Sequence, residues 1–295
     1  MKRRLGKTSE GMFIGTIHSY ANTICHLNGV NTSKFIDDEE FDKILKAAIY
    51  IPKDRYPKIQ HLLVDECQDL STLEHRFLDC IPTTNRFLVG DDRQCVYSFK
   101  GVDEKIIRNI HKNEDVKKYY LVENYRNAPN IMDFANDFLN NYRQLSPPSV
   151  AVKKKDGIVE KTNFDSALNI LDDSGDWGHW FILTRTNKEL AEVQRRLDNR
   201  EIPNVTFKKA DLDNSELDQL MASNKVKVLT IHSAKGLQAP KVIVIGAKLY
   251  NLEERKIAYV AATRAESALY WCPTIKVAAA KKSTSKKSTF REGFF

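Results

Sequence analysis

The sequence has few cysteines, and none of them forms a recognisable pair. Its five cysteines include no C-x-x-C motif and no metal-ligand spacing with histidine. A scattered, odd-numbered set is typical of reduced thiols that serve as small core residues. The pattern excludes a disulfide scaffold and a cysteine-based zinc site, and it predicts a cytoplasmic protein.

Long apolar runs are also missing. No stretch is long enough to span a membrane, and no apolar segment follows the basic first residues. We therefore expect no membrane partner and no secretory signal. The 42% hydrophobic content over 295 residues is nevertheless enough for the packed cores of two ordinary domains.

The net charge of +7 is concentrated at the two ends of the chain. Residues 276–295 contribute +5 and residues 1–10 contribute +3, so residues 11–275 carry −1. Basic, polar ends such as KKSTSKKST are typical of solvated tails. Charge alone is therefore a weak argument for a nucleic-acid partner.

A complete phosphate-binding loop is not found. Gly6-Lys7-Thr8 spells the end of the pattern G-x-x-x-x-G-K-[ST], but the first glycine of that pattern falls on Met1. The pattern also requires a strand before the loop and a helix after it. We therefore interpret Gly6-Lys7-Thr8 as a chance match.

Short apolar runs alternate with helical patterns along most of the chain. This alternation predicts an α/β fold with parallel sheets. The predicted strands are 12–15, 59–64, 86–90, 179–184, 225–231, 241–246 and 268–272, and the predicted helices are roughly 17–28, 38–51, 129–142, 187–200 and 253–264.

Two acidic residues follow the strand pattern IQHLLV. In LLVDECQD, an apolar strand delivers Asp65 and Glu66 to its carboxyl end, where ligands of open α/β sheets bind. In nucleotide hydrolysis one such carboxylate serves Mg²⁺ and the other orients the attacking water. A helix N-cap at a strand-to-helix turn is an equally good explanation of this segment alone.

A second apolar strand ends in LVGDDRQCVYSFKG (88–101) and favours the nucleotide interpretation. Gln94, just beyond the strand, can sense a terminal phosphate by hydrogen bonding. Tyr97 and Phe99 can stack on unpaired bases, at about 1–3 kcal/mol per base. Core packing is the alternative for the two aromatic rings, and their polar neighbours disfavour it.

Six motifs in order resemble the superfamily-one DNA helicases of the UvrD/Rep/PcrA type. They are GTIHSYA (15–21), DECQD (65–69), GDDRQCVYSFKG (90–101), LVENYRNAPNI (121–131), VKVLTIHSAKGLQ (226–238) and AYVAATRAESALYW (258–271). FILTRTNKELAEVQRRLDNREIP (181–203) is also similar to a segment of this family. The likeness runs from the first residues to about residue 272.

The resemblance implies two RecA-like parallel-sheet domains with minimal accessory insertions. We expect a partial first domain over 1–122, a second domain over 123–275 and a basic tail over 276–295.

The resemblance also implies an ATP site that uses Mg²⁺. Asp65 would serve Mg²⁺, Glu66 would activate water, Gln94 would sense the γ-phosphate, and Arg126 and Arg264 would be arginine fingers. Four further residues would assist nucleotide binding: Tyr125 by stacking on adenine, Gln68 by linking the site to its neighbours, Gly236 within the loop that connects DNA and ATP, and Gln238 near the ribose.

The expected partner is single-stranded DNA or a single/double-strand junction. By resemblance, the contacts would come from Thr16, His18, Tyr97, Phe99, His232 and Lys235. Without the motifs, the two histidines would be ordinary loop residues, and Arg126 and Arg264 would be surface ion pairs.

The chain departs from the family pattern in three places. Lys100 stands where the family has arginine, and a lysine lacks the planar guanidinium group that forms two parallel hydrogen bonds. Gln238 stands where the family has glutamate, and an amide still forms hydrogen bonds. Only fourteen residues precede Gly15, so we expect the Walker A segment to be missing from this sequence. Its start could be mis-assigned, the segment could have been removed, or a second chain could supply it.

Two functions follow from this pattern. The first is the core of an ATP-dependent helicase or translocase that moves 3′→5′ on single-stranded DNA in replication, repair or recombination. The second is a truncated, non-hydrolysing remnant that binds single-stranded DNA or protein. The intact Asp65, Glu66, Gln94, Arg126 and Arg264 favour the first, although turnover by the chain alone is in doubt without the phosphate loop.

Overall fold

The computed structural model describes residues 11–97, 101–208 and 211–275, and these form two compact units. Unit 1 contains the described residues up to Tyr125 together with Ala135–Val152 and Leu249–Val260. Unit 2 contains Arg126–Phe134, Lys153–Lys248 and the described residues from Ala261. The domain limits predicted from the sequence stay a prediction. No helix in the described part of the chain has the length and apolar character needed to cross a membrane.

The helices and strands follow the alternation that the sequence predicts. The first half contains α1 (Ile17–Leu27), α2 (Ser33–Asp37), α3 (Phe41–Tyr50), β1 (Ile59–Val64), α4 (Thr72–Leu78), β2 (Thr83–Leu88), α5 (Glu104–Lys112), β3 (Glu123–Asn124), α6 (Pro129–Asp137) and β4 (Val150–Ala151). The second half contains β5 (Ile158–Lys161), α7 (Phe164–Ser174), β6 (Trp180–Thr184), α8 (Asn187–Asp198), β7 (Asn204–Val205), α9 (Asn214–Ala222), β8 (Val226–Thr230), β9 (Ala239–Ile245), α10 (Leu252–Ala262) and β10 (Ala265–Cys272).

Unit 1 is built on β1 and β2, which pair in parallel with Leu63 opposite Phe87. Helices α1, α3 and α4 cover one face of this pair with a core that includes Ile24, Leu45 and Phe77. Strands β3 and β4 form a second, short parallel pair. The parallel arrangement places the carboxyl ends of β1 and β2 side by side, and the predicted site residues follow both ends.

The second face of the β1–β2 pair is open in the described structure. Leu63 is 72% exposed and Phe87 is 56% exposed. The sequence predicts buried strands here, and this is correct for only one face, because the helices pack on one side of the pair. Apolar side chains alternate between the two faces of a strand, so the sequence pattern alone does not show which face is covered.

The predicted strand over 12–15 is wrong. These residues have no regular secondary structure, and Phe13 packs instead on Tyr20 of α1 at a ring-centroid distance of 4.9 Å. An apolar run becomes a strand only where a neighbouring strand accepts its backbone hydrogen bonds. Here the run leads into α1, and the side chain of Thr16 caps that helix.

Unit 2 contains a six-stranded, all-parallel sheet in the order β5-β10-β9-β6-β8-β7. Strand β6 is buried along its whole length, as expected for the centre of a parallel sheet. Helices α7 and α8 contribute Leu168, Leu171 and Leu197 to a core with Trp180 and Ile243 of the sheet.

The predicted α/β fold with parallel sheets is confirmed. The predictions found β6, β8, β9 and β10 to within a few residues, but they missed the short strands β5 and β7. The predicted helix over 38–51 is also shorter, because α2 ends at Asp37 and α3 begins at Phe41.

Candidate functional site

The carboxyl end of β1 presents two adjacent acidic side chains. Asp65 and Glu66 follow the buried Val64 directly, and both are exposed. Asp65 Oδ1 accepts a hydrogen bond from Glu66 N at 2.9 Å. The backbone of Glu66 is left-handed, with φ 51° and ψ 39°, which costs a non-glycine residue about 1–3 kcal/mol. Such strain is common at functional sites.

A series of hydrogen bonds joins Glu66 to Gln94 through two intermediate residues, the side chain of Gln68 and the backbone N and carboxylate of Asp91. Gln68 Nε2 donates to Glu66 Oε2 at 2.5 Å, and Gln68 Oε1 accepts from Asp91 N at 3.1 Å. Gln94 Nε2 then donates to Asp91 Oδ2 at 2.9 Å. The residues predicted to activate water and to sense phosphate are therefore part of one network at the ends of β1 and β2.

Gln68 is the central link of this network, and it is only 2% exposed. The short turn of helix Cys67–Asp69 points its amide between the two strand ends. Burial makes both of its hydrogen bonds important, since an unsatisfied buried amide costs about 1–3 kcal/mol. The linking role that the resemblance implies for Gln68 within an ATP site stays a prediction.

Gly90 gives Gln68 the room it needs. A Cβ atom at position 90 would lie 2.6 Å from Gln68 Oε1 and 2.7 Å from Cys67 Sγ. Both distances are shorter than any ordinary contact, so a side chain at this position would displace Gln68 or Cys67.

Asp91 accepts hydrogen bonds on both carboxylate oxygens, and the sequence analysis missed it. Its Oδ1 accepts from the backbone and the side chain of Arg93, at 3.0 and 2.9 Å, while its Oδ2 accepts from Gln94. The position of Asp91 in the Gly-Asp step after an apolar strand is the signal that points to it.

Tyr97 lies near the acidic end of β1. It is half-buried, and burial, together with the charges of Asp69 and Glu66, raises the pKa of its phenol. Its neighbour in the predicted stacking pair, Phe99, lies outside the described residues. The stacking of both rings on DNA bases stays a prediction.

The carboxylates at the end of β1 fit a magnesium ion held together with phosphate. Among the described residues, no three His, Cys, Asp or Glu side chains lie close enough to hold a metal by themselves. Mg²⁺ in nucleotide sites keeps several waters and binds one or two carboxylates plus phosphate oxygens. The exposed Asp65 has the chemistry for that limited role.

Thr16 and His18 lie at the start of α1. Thr16 Oγ1 accepts from Ser19 N at 3.1 Å, so its hydroxyl caps the helix. His18 Nδ1 lies 3.9 Å from Glu74 Oε1, and a cavity of about 510 Å³ beside it is also lined by Asp42 and Asp69. Three carboxylates line the space beside His18, and their negative charge disfavours a DNA phosphate there. The DNA contact by His18 stays a prediction.

Tyr125, the last residue of the first segment of unit 1, has an exposed ring. It is 67% exposed, and its hydroxyl donates to the carboxylate of Glu123. An exposed ring held at one end is available for stacking, so the predicted adenine contact stays a prediction.

In unit 2, the two predicted arginine fingers both form a hydrogen bond with Thr263, Arg126 with its carbonyl and Arg264 with its hydroxyl. Arg126 Nη1 donates to Thr263 O at 3.4 Å, and Asn127 Nδ2 donates to the same carbonyl at 3.1 Å. Arg264 donates through Nη1 to Leu237 O at 3.2 Å and is only 2% exposed. A surface ion pair, the alternative for Arg264, is therefore excluded.

The turn after β8 contains the other predicted residues of unit 2. His232 and Lys235 are joined through the backbone, since Lys235 N donates to His232 O at 3.2 Å. Gly236 has a φ of 77°, a conformation that glycine adopts without strain. Gln238 is exposed, and its amide donates to Glu266 Oε1 at 2.8 Å.

Two family models match the chain, one in each half. The model of the UvrD/REP helicase N-terminal domain matches residues 39–115, and the model of the UvrD-like helicase C-terminal domain matches residues 183–274. Together the two models cover more than half of the chain, and the N-terminal domain model matches before the C-terminal one. The chain belongs to the UvrD/Rep-type superfamily-one helicases.

Curated relatives agree with this family. The chain is 27% identical over 254 residues to a probable DNA helicase of Mycoplasma pneumoniae, which covers 72% of this chain and 43% of that protein. It is 25% identical over 162 residues to DNA helicase II of Haemophilus influenzae, which covers 50% of this chain and 22% of that protein. DNA helicase IV of Escherichia coli is 26% identical over 258 residues, which covers 75% of this chain and 35% of that protein. The chain thus spans less than half the length of these relatives.

Among solved structures, the C-terminal domain of a possible DNA helicase from Lactobacillus plantarum WCFS1 has a TM-score of 0.36 at 21% identity, covering 51% of this chain and 87% of that one. This likeness is weak. The assignment of the fold depends instead on the parallel sheets themselves.

The matched segments of this UvrD-type chain contain most of the predicted site. Asp65, Glu66 and Gln94 fall within the N-terminal model, and Arg264 falls within the C-terminal one. Thr16, His18, Tyr125 and Arg126 lie outside both segments and depend on the motif resemblance and their local geometry.

Proposed function

We propose that this chain couples ATP hydrolysis to movement along single-stranded DNA. The observation that supports the proposal is the hydrogen-bonded chain Glu66–Gln68–Asp91–Gln94, which connects the acidic end of β1 to the amide after β2. In a connected network of this kind, a change in the position of Gln94 when it binds a terminal phosphate also changes the position of Glu66, which binds the attacking water.

Each catalytic group in the proposal has a defined task. Glu66 orients and deprotonates water, Gln94 hydrogen-bonds the γ-phosphate, and Asp65 serves Mg²⁺, which when bound neutralises developing charge on the phosphates. Arg126 and Arg264 add positive charge to the transferring phosphoryl group. Phosphoryl transfer requires mainly such positioning and charge stabilisation.

The DNA contacts in the proposal follow the motif resemblance. We assign them to Thr16, His18, Tyr97, Phe99, His232 and Lys235. Stacking by aromatic rings tolerates any base, which suits an enzyme that moves along DNA regardless of sequence. The proposed substrate is single-stranded DNA, entered from a single/double-strand junction, with movement from 3′ to 5′.

A strand-displacement assay tests the proposal. Duplexes with either a 3′ or a 5′ single-stranded tail, each with a fluorescent strand, are mixed with the chain, ATP and Mg²⁺. We expect displacement from the 3′-tailed duplex only, its loss in Glu66→Gln, and its retention in Glu114→Gln, which replaces an exposed loop glutamate.

The second candidate, a non-hydrolysing DNA-binding module, predicts a different result. In that case the chain binds both tailed duplexes in a gel-shift assay, but it displaces neither strand with or without ATP. Displacement from the 5′-tailed duplex would contradict only the proposed direction of movement and not the proposed activity.

A further inference from the structure

Arg93, the residue just before Gln94, is a buried arginine that the proposed mechanism does not use. Arg93 is only 5% exposed, whereas the next residue, Gln94, is half-buried. Arginine is rarely buried unless its donors are paired. Its burial therefore requires specific partners, and the structure provides them on three sides.

The first partner is the carboxylate of Asp91. Arg93 donates to Asp91 Oδ1 from its backbone N at 3.0 Å and from its Nε at 2.9 Å. Asp91 Oδ2 accepts from Gln94 Nε2. Because one carboxylate serves both side chains, the orientation of Asp91 set by Arg93 also fixes the position of the Gln94 amide.

The other two partners hold the guanidinium in place. Arg93 Nη1 donates to Pro147 O at 3.2 Å, and its Cζ lies 5.5 Å from the ring centre of Tyr259 in α10. The neighbouring Asp92 is tied to the same loop, since its Oδ2 accepts from Leu145 N at 3.0 Å. The short helix Asp92–Gln94 is thus held in place by contacts with parts of unit 1 that are distant in sequence.

The geometry points to Arg93 as the positioning residue of Gln94, acting through Asp91. The structural part of this inference stands by itself, and its consequence for phosphate sensing rests on the proposed function. A lysine cannot replace Arg93 for two reasons. A single ammonium group cannot donate to both Asp91 and Pro147, and it has no planar group to stack on the ring of Tyr259.

The first test measures the position of the Gln94 amide without any nucleotide. Side-chain amide signals of the full chain are recorded by ¹⁵N NMR, and the Gln94 signal is identified by its loss in Gln94→Ala. In Arg93→Lys we expect this signal to move toward that of the exposed Gln60, with at least tenfold faster exchange with solvent. Arg86→Lys, which alters an Arg–Asp pair with a 2.7 Å contact away from Gln94, should leave it unchanged.

A Gln94 signal that stays in place in a folded Arg93→Lys protein would overturn the inference. If Arg93→Lys does not fold, Tyr259→Leu serves instead, because it removes the ring beneath the guanidinium and leaves every donor of Arg93 in the chain. We expect the same movement of the Gln94 signal, and an unchanged signal would again overturn the inference.

The second test measures phosphate sensing. Affinities for ATPγS and ADP are compared in the unaltered chain, Arg93→Lys, Gln94→Ala and the double variant. We expect Arg93→Lys to weaken ATPγS binding by about tenfold, the scale of one hydrogen bond to a charged group, with ADP binding unchanged. The double variant should be no worse than Gln94→Ala, because both changes break one interaction.

The outcomes of the two tests are distinguishable. Equal weakening of ATPγS and ADP, or losses that multiply in the double variant, would show a merely structural role and overturn the inference. If the unaltered chain binds neither nucleotide, the proposed function fails, and the NMR measurement still decides whether Arg93 positions Gln94.

Discussion

Asp91 N donates to Gln68 Oε1 at 3.1 Å, and this bond joins the ends of two neighbouring parallel strands. The same Gln68 side chain donates from Nε2 to Glu66 Oε2. Its amide therefore has a defined orientation, with the nitrogen toward the carboxylate and the oxygen toward the backbone. No other uncharged side chain of this length combines a donor and an acceptor in this way.

Replacing Gln68 by glutamate should destabilise unit 1 in a pH-dependent manner. Burial and the nearby Glu66 carboxylate should raise the folded-state pKa of the new carboxyl above its unfolded value of about 4.3. The variant should lose about 1–3 kcal/mol of unfolding free energy at pH 7. The deficit should shrink as the pH falls through the raised pKa, because the protonated carboxyl again offers a donor and an acceptor.

Urea unfolding between pH 5 and 8, followed by circular dichroism, measures this effect. Gln60→Glu, at an exposed position of β1, is the control and should show little change. A Gln68→Glu deficit that is constant with pH would contradict the raised carboxyl pKa expected from the burial of this position beside Glu66.

Gly90→Ala should affect both stability and turnover. The new Cβ would overlap Gln68 and Cys67, which we expect to cost about 1–3 kcal/mol and to displace the Gln68 amide. Gly29→Ala is the control, because its φ of 74° makes alanine unfavourable by about 1–2 kcal/mol while its Cβ meets no atom within 4 Å. Only Gly90→Ala should lower ATP turnover, and equal turnover in the two variants would contradict the spatial role of Gly90.

Glu192 should make unit 2 sensitive to acid. Hydrogen bonds from Arg195 and Arg196 hold the pKa of this carboxyl at about 2, even though burial acts to raise it. A depressed folded-state pKa means that its stabilisation is present above the unfolded pKa of about 4.3 and is lost as the pH falls toward 2.

We therefore expect Glu192→Gln to be less stable than the unaltered chain at pH 6, and the difference to close between about pH 4.3 and 2. Tryptophan fluorescence is a suitable signal, because the three tryptophans, Trp177, Trp180 and Trp271, are all in unit 2. Glu114→Gln in a loop of unit 1 should show no such difference. A Glu192→Gln deficit that persists at pH 2 would contradict the ion-pair explanation.

Arg264→Lys should lower ATP turnover by roughly 10³-fold or more, the loss expected for an arginine finger. The lysine keeps the positive charge but lacks the fork that now reaches Leu237 O and the Thr263 hydroxyl. Steady-state turnover is measured beside Arg200→Lys, an arginine of unit 2 paired with Asn169. Equal turnover in the two variants would remove Arg264 from the catalytic assignment.

The strand ends and their acidic residues could be predicted from the sequence, because an apolar run that stops abruptly at charged residues has few other structures. The position of Asp65 and Glu66 after β1 and of Gln94 after β2 follows from that rule. The strand predicted over 12–15 failed for the opposite reason, since no strand in the described part of the chain pairs with its apolar residues.

The role of Arg93 could not be predicted from the sequence. Its carbonyl partner, Pro147, is 54 residues away, and its stacking partner, Tyr259, lies on a helix near the end of the chain. Contacts of this range depend on the tertiary fold, and a charged residue in a polar segment is ordinarily expected at the surface. The same argument applies to Gln68, whose burial results from the approach of β2.

The most direct test of the account is ATP hydrolysis with and without single-stranded DNA, comparing the unaltered chain with Glu66→Gln and Glu114→Gln. The proposed function predicts hydrolysis that DNA stimulates. Glu66→Gln should lower it by about 10²–10⁴-fold, as expected for a lost general base, and Glu114→Gln should leave it unchanged. Hydrolysis that survives Glu66→Gln, or no hydrolysis by a chain that binds DNA normally, would contradict it.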